Sequence, residues 1–568
     1  MDTTLPLSVA TIQQTWTYDD EGRVASHTQN SDTLEAIGAG GRTLGYTYDA
    51  NGRRQTVTYP GGATIEYEYD ADGRTTAIKR NATSLATYAY DPTTGRLATR
   101  TLANGVTTSY GYNFMGRTTS ITVTSGAATL WEATYGYDAV GNRTWSKYGT
   151  QGDAYAYDAT YQVTGVKYGS ATPESGYAAI TDAQGSSTWT YDPAGNRTQQ
   201  TVTGTVPGVD PATTSYTAND INSYTSVTED STPVNIAHSS RADLSAFGDW
   251  TYTNDVYGNI IQAANGTQTV RFYFDGANKR VGKEIDTDGA IWWLHDGIHL
   301  VEEYDSVTSQ TTEYIYEPGI DRPLAKIEGG VTKFFHQDVF GNVVALTNGG
   351  GDLVEEYRYD IWGNFEAFDQ NGDPIQGDPE SLFLFTARQW DSEPGLYYYR
   401  ARSYSQTLGR FMQQDPIGFA GGDLNLVRYV ANSSVNAIDP LGLMPFHWYG
   451  NYGGPGYTNG NWEDAGANPS SDQIGPPHGP EPINSQDECY LEHDKCYAKC
   501  KKDECLTGDE LRQCKRSCDD ALQACLVQSL KSGDSGNPLT ALGAYAAFSV
   551  TNHPPSKAPK SGHPAKRR

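Results

Sequence analysis

Trp16-Thr17-Tyr18-Asp19-Asp20-Glu21-Gly22-Arg23 introduces a pattern that the chain then repeats: an aromatic residue, a spacer, Tyr-Asp, and a Gly-Arg or Gly-Asn pair. It returns at Tyr48-Asp49 with Gly52-Arg53, Tyr69-Asp70 with Gly73-Arg74, and Tyr90-Asp91 with Gly95-Arg96. Later copies stand at Tyr112, Tyr137-Asp138 with Gly141-Asn142, Tyr191-Asp192 with Gly195-Asn196, and Tyr359-Asp360 with Gly363-Asn364. One Tyr-Asp taken alone says only that a strand runs into a turn. Repetition at short, near-regular steps says more, because stacked units of this size cannot bury their faces singly. Alternating aromatic and polar residues entering an Asp-x-x-Gly turn predict a β-hairpin in each unit.

Composition agrees with an all-β body. Forty Tyr and 61 Gly against four Met favour strands and tight turns over long helices. A chain of 568 residues exceeds what one core usually serves, so several units are expected. Net charge is −27, and 28 basic stand against 53 acidic residues up to Leu443, with 13 against 15 beyond. An acidic body lacks the clustered Lys and Arg that phosphate contacts require, so no nucleic-acid partner is expected. No apolar run is long enough for a membrane-spanning helix. The first residues carry no basic-then-apolar signal peptide, and export by another route is expected.

The repeats resemble those of the YD-repeat proteins, including the Rhs and toxin-complex families. That resemblance implies a spiralling β-sheet shell around a hollow interior over residues 1–395. The likeness extends through residue 443. Leu396-Tyr397-Tyr398-Tyr399-Arg400-Ala401-Arg402-Ser403-Tyr404, Gly409-Arg410-Phe411, Asp415-Pro416-Ile417-Gly418 and Asp439-Pro440-Leu441-Gly442-Leu443 are similar to the Rhs core-terminating motif. The family likeness implies self-cleavage between Leu443 and Met444, with 396–443 as the autoproteolytic element. Asp-Pro pairs commonly just start turns. Two nearby carboxylates, however, resist joint ionisation and can share a proton, which suits them to activate water. Asp415 and Asp439 are the candidates, and Arg402 matches the family's third polar position. Ser403 stands where the family commonly has a second Tyr.

All seven cysteines lie between 489 and 525, as in a small disulfide-framed domain. Capping boxes at Ser485-Gln486-Asp487-Glu488 and Thr507-Gly508-Asp509-Glu510 predict helices over about 486–503 and 508–531. Cys489, Cys496 and Cys500 share one face of the first helix with His493, and Cys514, Cys518 and Cys525 share one face of the second. The spacings mirror each other as an antiparallel pair requires. They pick out the bridges Cys489–Cys525, Cys496–Cys518 and Cys500–Cys514. Cys505 is left over: it is free, joined to another chain, or replaces a partner in the third bridge.

A buried His493 beside Asp494 is ordinarily a core histidine. Yet Cys489-Tyr490-Leu491-Glu492-His493-Asp494-Lys495-Cys496-Tyr497 resembles the active-site helix of secreted phospholipase A2, and Trp448 to Gly456 is similar to its calcium loop. Cys518-Asp519-Asp520-Ala521 resembles its second helix. The likeness implies Ca²⁺ held by Asp494 and the carbonyls of Tyr452, Gly454 and Gly456. It further implies His493 as general base, Asp519 as its partner and Tyr497 in support. Gly453 and Tyr490 replace family cysteines.

The expected architecture is therefore multidomain: an all-β YD-repeat spiral shell, the terminating element, a small disulfide-stapled all-α phospholipase A2-like domain over 444–552, and a disordered basic tail over 553–568. The expected function is an exported toxin hydrolysing phospholipid at a membrane surface, with a delivery machine and a protective immunity protein as partners. The competing expectation is a non-enzymatic surface or adhesion protein in which the cysteine-rich end is a cap.

Overall fold

The computed structural model describes residues 12–31, 41–286 and 288–443, and the backbone of 446–447, 457–458 and 461–462. Its described elements are antiparallel strands and four single 3₁₀ turns. The first sheet has 19 strands, from Ile12–Tyr18 to Thr232–Val234, and the second has 14, from Ile236–His238 to Phe365–Asp369. Each strand pairs with the next in sequence, so both sheets are meanders built from hairpins. This is the shell that the repeats predict.

The repeat residues explain why the meander is regular. Asp49 accepts the N–H groups of Asn51 and Arg53 through Oδ1, both at 2.9 Å, and closes the turn. Gly52 follows at φ +81°, a conformation that residues with a Cβ rarely adopt. Arg53 Nε donates to Asp49 Oδ2 at 2.7 Å, and its guanidinium lies 4.4 Å from the centre of the Tyr69 ring. The Tyr69 hydroxyl closes the link by donating to the Arg54 carbonyl at 2.8 Å. Thus each Tyr-Asp unit is tied to the turn before it. Arg23 with Tyr48 and Arg74 with Tyr90 repeat the arrangement. Where Asn stands in place of Arg, as at Asn142, Asn196 and Asn364, its Nδ2 takes over the Asp Oδ2 bond at 2.9 Å. Both choices serve the turn, but only Arg also covers the next tyrosine.

Alternation puts one face of each strand inside. Leu44, Val57, Ile65 and Ile78 of the first sheet join Trp293, Ile315, Leu324 and Phe335 of the second in one buried cluster. Hydroxyls cross between the sheets: Tyr59 donates to the Tyr314 carbonyl at 2.7 Å and Tyr67 to that of Tyr316 at 3.3 Å. Where these strands face each other, the expected hollow is filled by side chains. Buried ion pairs also bridge them, including Arg42 with Glu302 and Arg100 with Glu317.

Residues 389–443 form a separate lining. Four short strands, from Gln389–Asp391 to Arg410–Phe411, carry Tyr397, Tyr399, Tyr404 and Phe411 into the core beside Tyr429. Tyr397 and Tyr404 donate to the Gly363 and Trp362 carbonyls of the second sheet, each at 2.9 Å. Arg410, Asn425 and Asn436 reach turns of the first, at Asn196, Asn222 and Arg143. This element is consequently clamped to both sheets.

Candidate active site

Arg402 is the centre of the terminating element. It leaves the strand Arg402–Ser405 with its guanidinium 3.6 Å from the centre of the Phe411 ring, buried and fully engaged. Its Nη2 lies 3.1 Å from Asp415 Oδ2 and 3.2 Å from Asp439 Oδ2. Nε donates to the Gly442 carbonyl at 2.6 Å and Nη1 to the Leu426 carbonyl at 2.9 Å. One planar cation therefore holds both aspartates and the backbone just before Leu443.

The aspartates are held differently. Asp415 starts a turn, with Oδ1 accepting the Ile417 N–H at 3.0 Å and its own N–H donating to the Leu426 carbonyl at 2.8 Å. Burial raises its carboxyl above the usual range, while Arg402 opposes the shift. Burial likewise lowers the Arg402 guanidinium from its ordinary value, against both carboxylates. Asp439 Oδ1 accepts the Leu443 N–H at 3.1 Å, and the Asp439 carbonyl accepts that of Gly442 at 3.3 Å. Gly442 has φ +66°, and a side chain there would strike the Tyr399 carbonyl. Asp439-Pro440-Leu441-Gly442-Leu443 is thus a tight turn that returns Leu443 to the carboxylate beginning it. Beyond it, Phe446–His447 pairs with Ala437–Ile438.

Arg402, Asp415 and Asp439 line a recess on the scale of one water molecule, together with Gly421, Asp423 and Arg428. A bound water there would meet two carboxyls and a guanidinium.

Of the residues singled out for cleavage, Arg402, Asp415, Asp439 and Leu443 lie together. Sequence reasoning missed the groups that hold the turn. Arg400 and Arg388 both donate to the Pro440 carbonyl, and Asp321, from the second sheet, pairs with both. Burial, then the neighbouring Arg400 charge, bring Arg388 down to about 10. Asp423, in a bidentate pair with Arg428, was also missed. Its only signal was its position inside the motif. Met444, Tyr452, Gly454, Gly456, His493, Asp494, Tyr497, Asp519 and the cysteines lie outside the described residues. Among the described residues no His, Cys, Asp and Glu group suits a metal ion, and no helix is long and apolar enough to cross a membrane.

Sheet order and turn chemistry define a shell of repeated β-hairpins, closed by the clasp around Arg402. The RHS Repeat family model matches residues 30–64 and 178–206. The tRNA3(Ser)-specific nuclease WapA of Bacillus spizizenii is 29% identical over 270 residues, 46% of this chain and 11% of that protein. The double-stranded DNA deaminase toxin A of Burkholderia cenocepacia is 26% identical over 223 residues, 34% of this chain and 15% of the relative. The chain spans about a tenth of the length of the WapA relatives and less than half that of the other curated relatives it matches. The solved structure of TcdB2-TccC3-TEV has the same fold over 75% of this chain and 23% of that one, with a TM-score of 0.59 at 17% identity.

These names correct two expectations. The relatives are named for action on tRNA and double-stranded DNA, against the expected phospholipase A2 activity on a phospholipid surface. They equally overturn the exclusion of nucleic acid as a partner. That exclusion rested on the charge of the whole shell, and the shell's charge does not report what a separate segment acts on.

Proposed function

We propose that this chain is an Rhs-type toxin carrier whose terminating element cuts the chain after Leu443, freeing the segment from Met444 onward as the effector. The observation that carries this reading is the Arg402 guanidinium holding Asp415 and Asp439 together beside Leu443. The two carboxyls share one proton. The ionised one takes a proton from water as the water oxygen bonds to the Leu443 carbonyl carbon, and the protonated one gives its proton to the carbonyl oxygen. Collapse breaks the bond to the Met444 nitrogen, which takes up a proton. The products are a Leu443 carboxylate and a Met444 amine, and water supplies the added atoms.

A toxin role is supported by the RHS repeats and by relatives named as toxins. Such a carrier is delivered out of its producer. The relatives' names make nucleic acid the first substrate class for the effector. The mirrored cysteines would bridge as Cys489–Cys525, Cys496–Cys518 and Cys500–Cys514 once the effector leaves a reducing compartment.

Purified chain should separate on denaturation into pieces of 443 and 125 residues, the second beginning at Met444, and Asp439→Asn should stay whole. Intact wild-type chain, or a new N-terminus elsewhere, would refute cleavage here. The 125-residue piece incubated with tRNA and with duplex DNA tests the substrate class.

A further inference from the structure

Gly421 closes the 3₁₀ turn Gly418–Gly421 and is buried against the recess that Arg402, Asp415 and Asp439 line. Its backbone is not in the left-handed region, so conformation does not demand glycine. Space does. A Cβ at this position would lie 2.7 Å from Asp415 Oδ2 and 2.9 Å from the Leu443 carbonyl oxygen, inside the contact distance of both. The two groups therefore approach each other across a position that has no side chain. The glycine that opens the turn behaves otherwise: Gly418 has positive φ and nothing near its missing Cβ.

We infer that Gly421 is a positioning residue of the cleavage site: its missing side chain leaves the space in which the Asp415 carboxyl and the Leu443 carbonyl face each other. This rests on the self-cleavage reading and divides its labour. Asp415 is the carboxyl on the carbonyl side, reached past Gly421, whereas Asp439 holds the Leu443 N–H and fixes where that carbonyl points. A methyl group at 421 would push Asp415 Oδ2 away from the carbonyl. It would also disturb the contact that the same oxygen makes with Arg402. Misplacing a reacting group by about an ångström costs up to about 10²-fold in rate.

The test uses the full chain made in cell-free translation, pulse-labelled, and followed for appearance of the 125-residue piece. Gly421→Ala should slow cleavage about tenfold or more, and Gly421→Val further. Phe419→Ala, which alters an exposed side chain of the same turn, should cleave like wild type. Hydrogen exchange over 415–443, compared in the Asp439→Asn background that keeps both chains whole, should be the same with Gly421→Ala as without it, because the element keeps its fold. Faster exchange alongside slower cleavage would make Gly421 a merely structural glycine and overturn the inference, as would equal slowing by Phe419→Ala. Wild-type cleavage with an equally fast Gly421→Ala would overturn the role of Gly421 alone. A wild-type chain that is never cut after Leu443 would overturn the self-cleavage reading itself.

Discussion

Replacing Arg402 by Met keeps much of its length and its packing on Phe411, but removes the charge and every donor. Asp415 and Asp439 are then left in one buried space without a counter-ion, and the Gly442 and Leu426 carbonyls lose their partners. Breaking a buried ion pair from one side costs about 3–5 kcal/mol. Each carbonyl adds about 1–3 kcal/mol unless water from the recess replaces the guanidinium. Arg402→Met should therefore lower the local opening free energy by at least about 3 kcal/mol at pH 8, speeding amide exchange over 415–443 about 10²-fold. The cost should shrink at acid pH. Burial already raises the Asp415 carboxyl. Loss of Arg402 raises it further, so the folded site binds a proton that the open chain releases, and stability falls as pH climbs through that raised value. Asp439→Asn in the same chain removes one of the two charges and should restore about 1–3 kcal/mol. Exchange mass spectrometry on three uncut chains, Arg402→Met, Asp439→Asn and the double variant, at pH 5 and 8 measures all of this. A double variant less protected than Arg402→Met, or a penalty unchanged between the two pH values, would refute the shared-cation account.

Other parts of the chain give independent expectations. Arg400→Ala removes a donor to the Pro440 carbonyl and one partner of Asp321, and should slow appearance of the Met444 N-terminus about tenfold in a pulse-labelled chain. Tyr69→Phe deletes the hydroxyl that reaches the Arg54 carbonyl and should cost about 0.5–1.5 kcal/mol, read as faster exchange in the two adjoining hairpins. Asp70→Ala should cost more, because the Asp72 and Arg74 N–H groups and the Arg74 guanidinium lose their acceptor together. Burial pushes the Asp153 carboxyl up to about 7, although its Oδ1 accepts the Gly169 N–H. Its folded pKa is thus above the unfolded one, and it withdraws stability as pH rises from about 4 to 7. Asp153→Asn should flatten that slope in thermal melts, and an unchanged slope would show the carboxyl to be solvated.

The hairpins were legible because each turn is local chemistry, written within five residues as in Asp49 to Arg53. Copies at Asp158, Asp255, Asp275 and Asp338 escaped the sequence reading although their carboxylates cap turns in the same way. In two of them the glycine is replaced by Tyr161 and Asn278, which adopt positive φ without it. Asp415 and Asp439 were singled out on other grounds: an Asp-Pro pair alone marks only a turn, but both stand in a string that resembles the Rhs core-terminating motif, within a short span of Arg402. Asp321 and Arg388 could not be found that way, since nothing in a local pattern says that an aspartate of the second sheet pairs with the arginines on the Pro440 carbonyl. The space at Gly421 was hidden too, because an absent side chain matters only once its neighbours are placed.

The same division between local and distant contacts bears on when the proposed cleavage can take place. Arg402, Asp415, Asp439 and Leu443 all belong to the terminating element, yet their geometry is borrowed. Asp321 of the second sheet holds Arg400 and Arg388 on the Pro440 carbonyl. Asn196, on a turn of the first, receives Arg410 and Asn425 on either side of Asp415. The Arg143 N–H donates to the side-chain oxygen of Asn436, three residues before Asp439. An isolated 396–568 segment has the dyad but none of these clamps, so its carboxyls, charged and flexible, have no reason to share a buried space. It should remain uncut. Asp321→Ala in the full chain should show a partial form of the same defect, with cleavage slowed while the first sheet keeps its exchange protection. Cutting of the isolated segment at the full-chain rate would mean that the dyad assembles unaided, and that the shell does not gate its own release step.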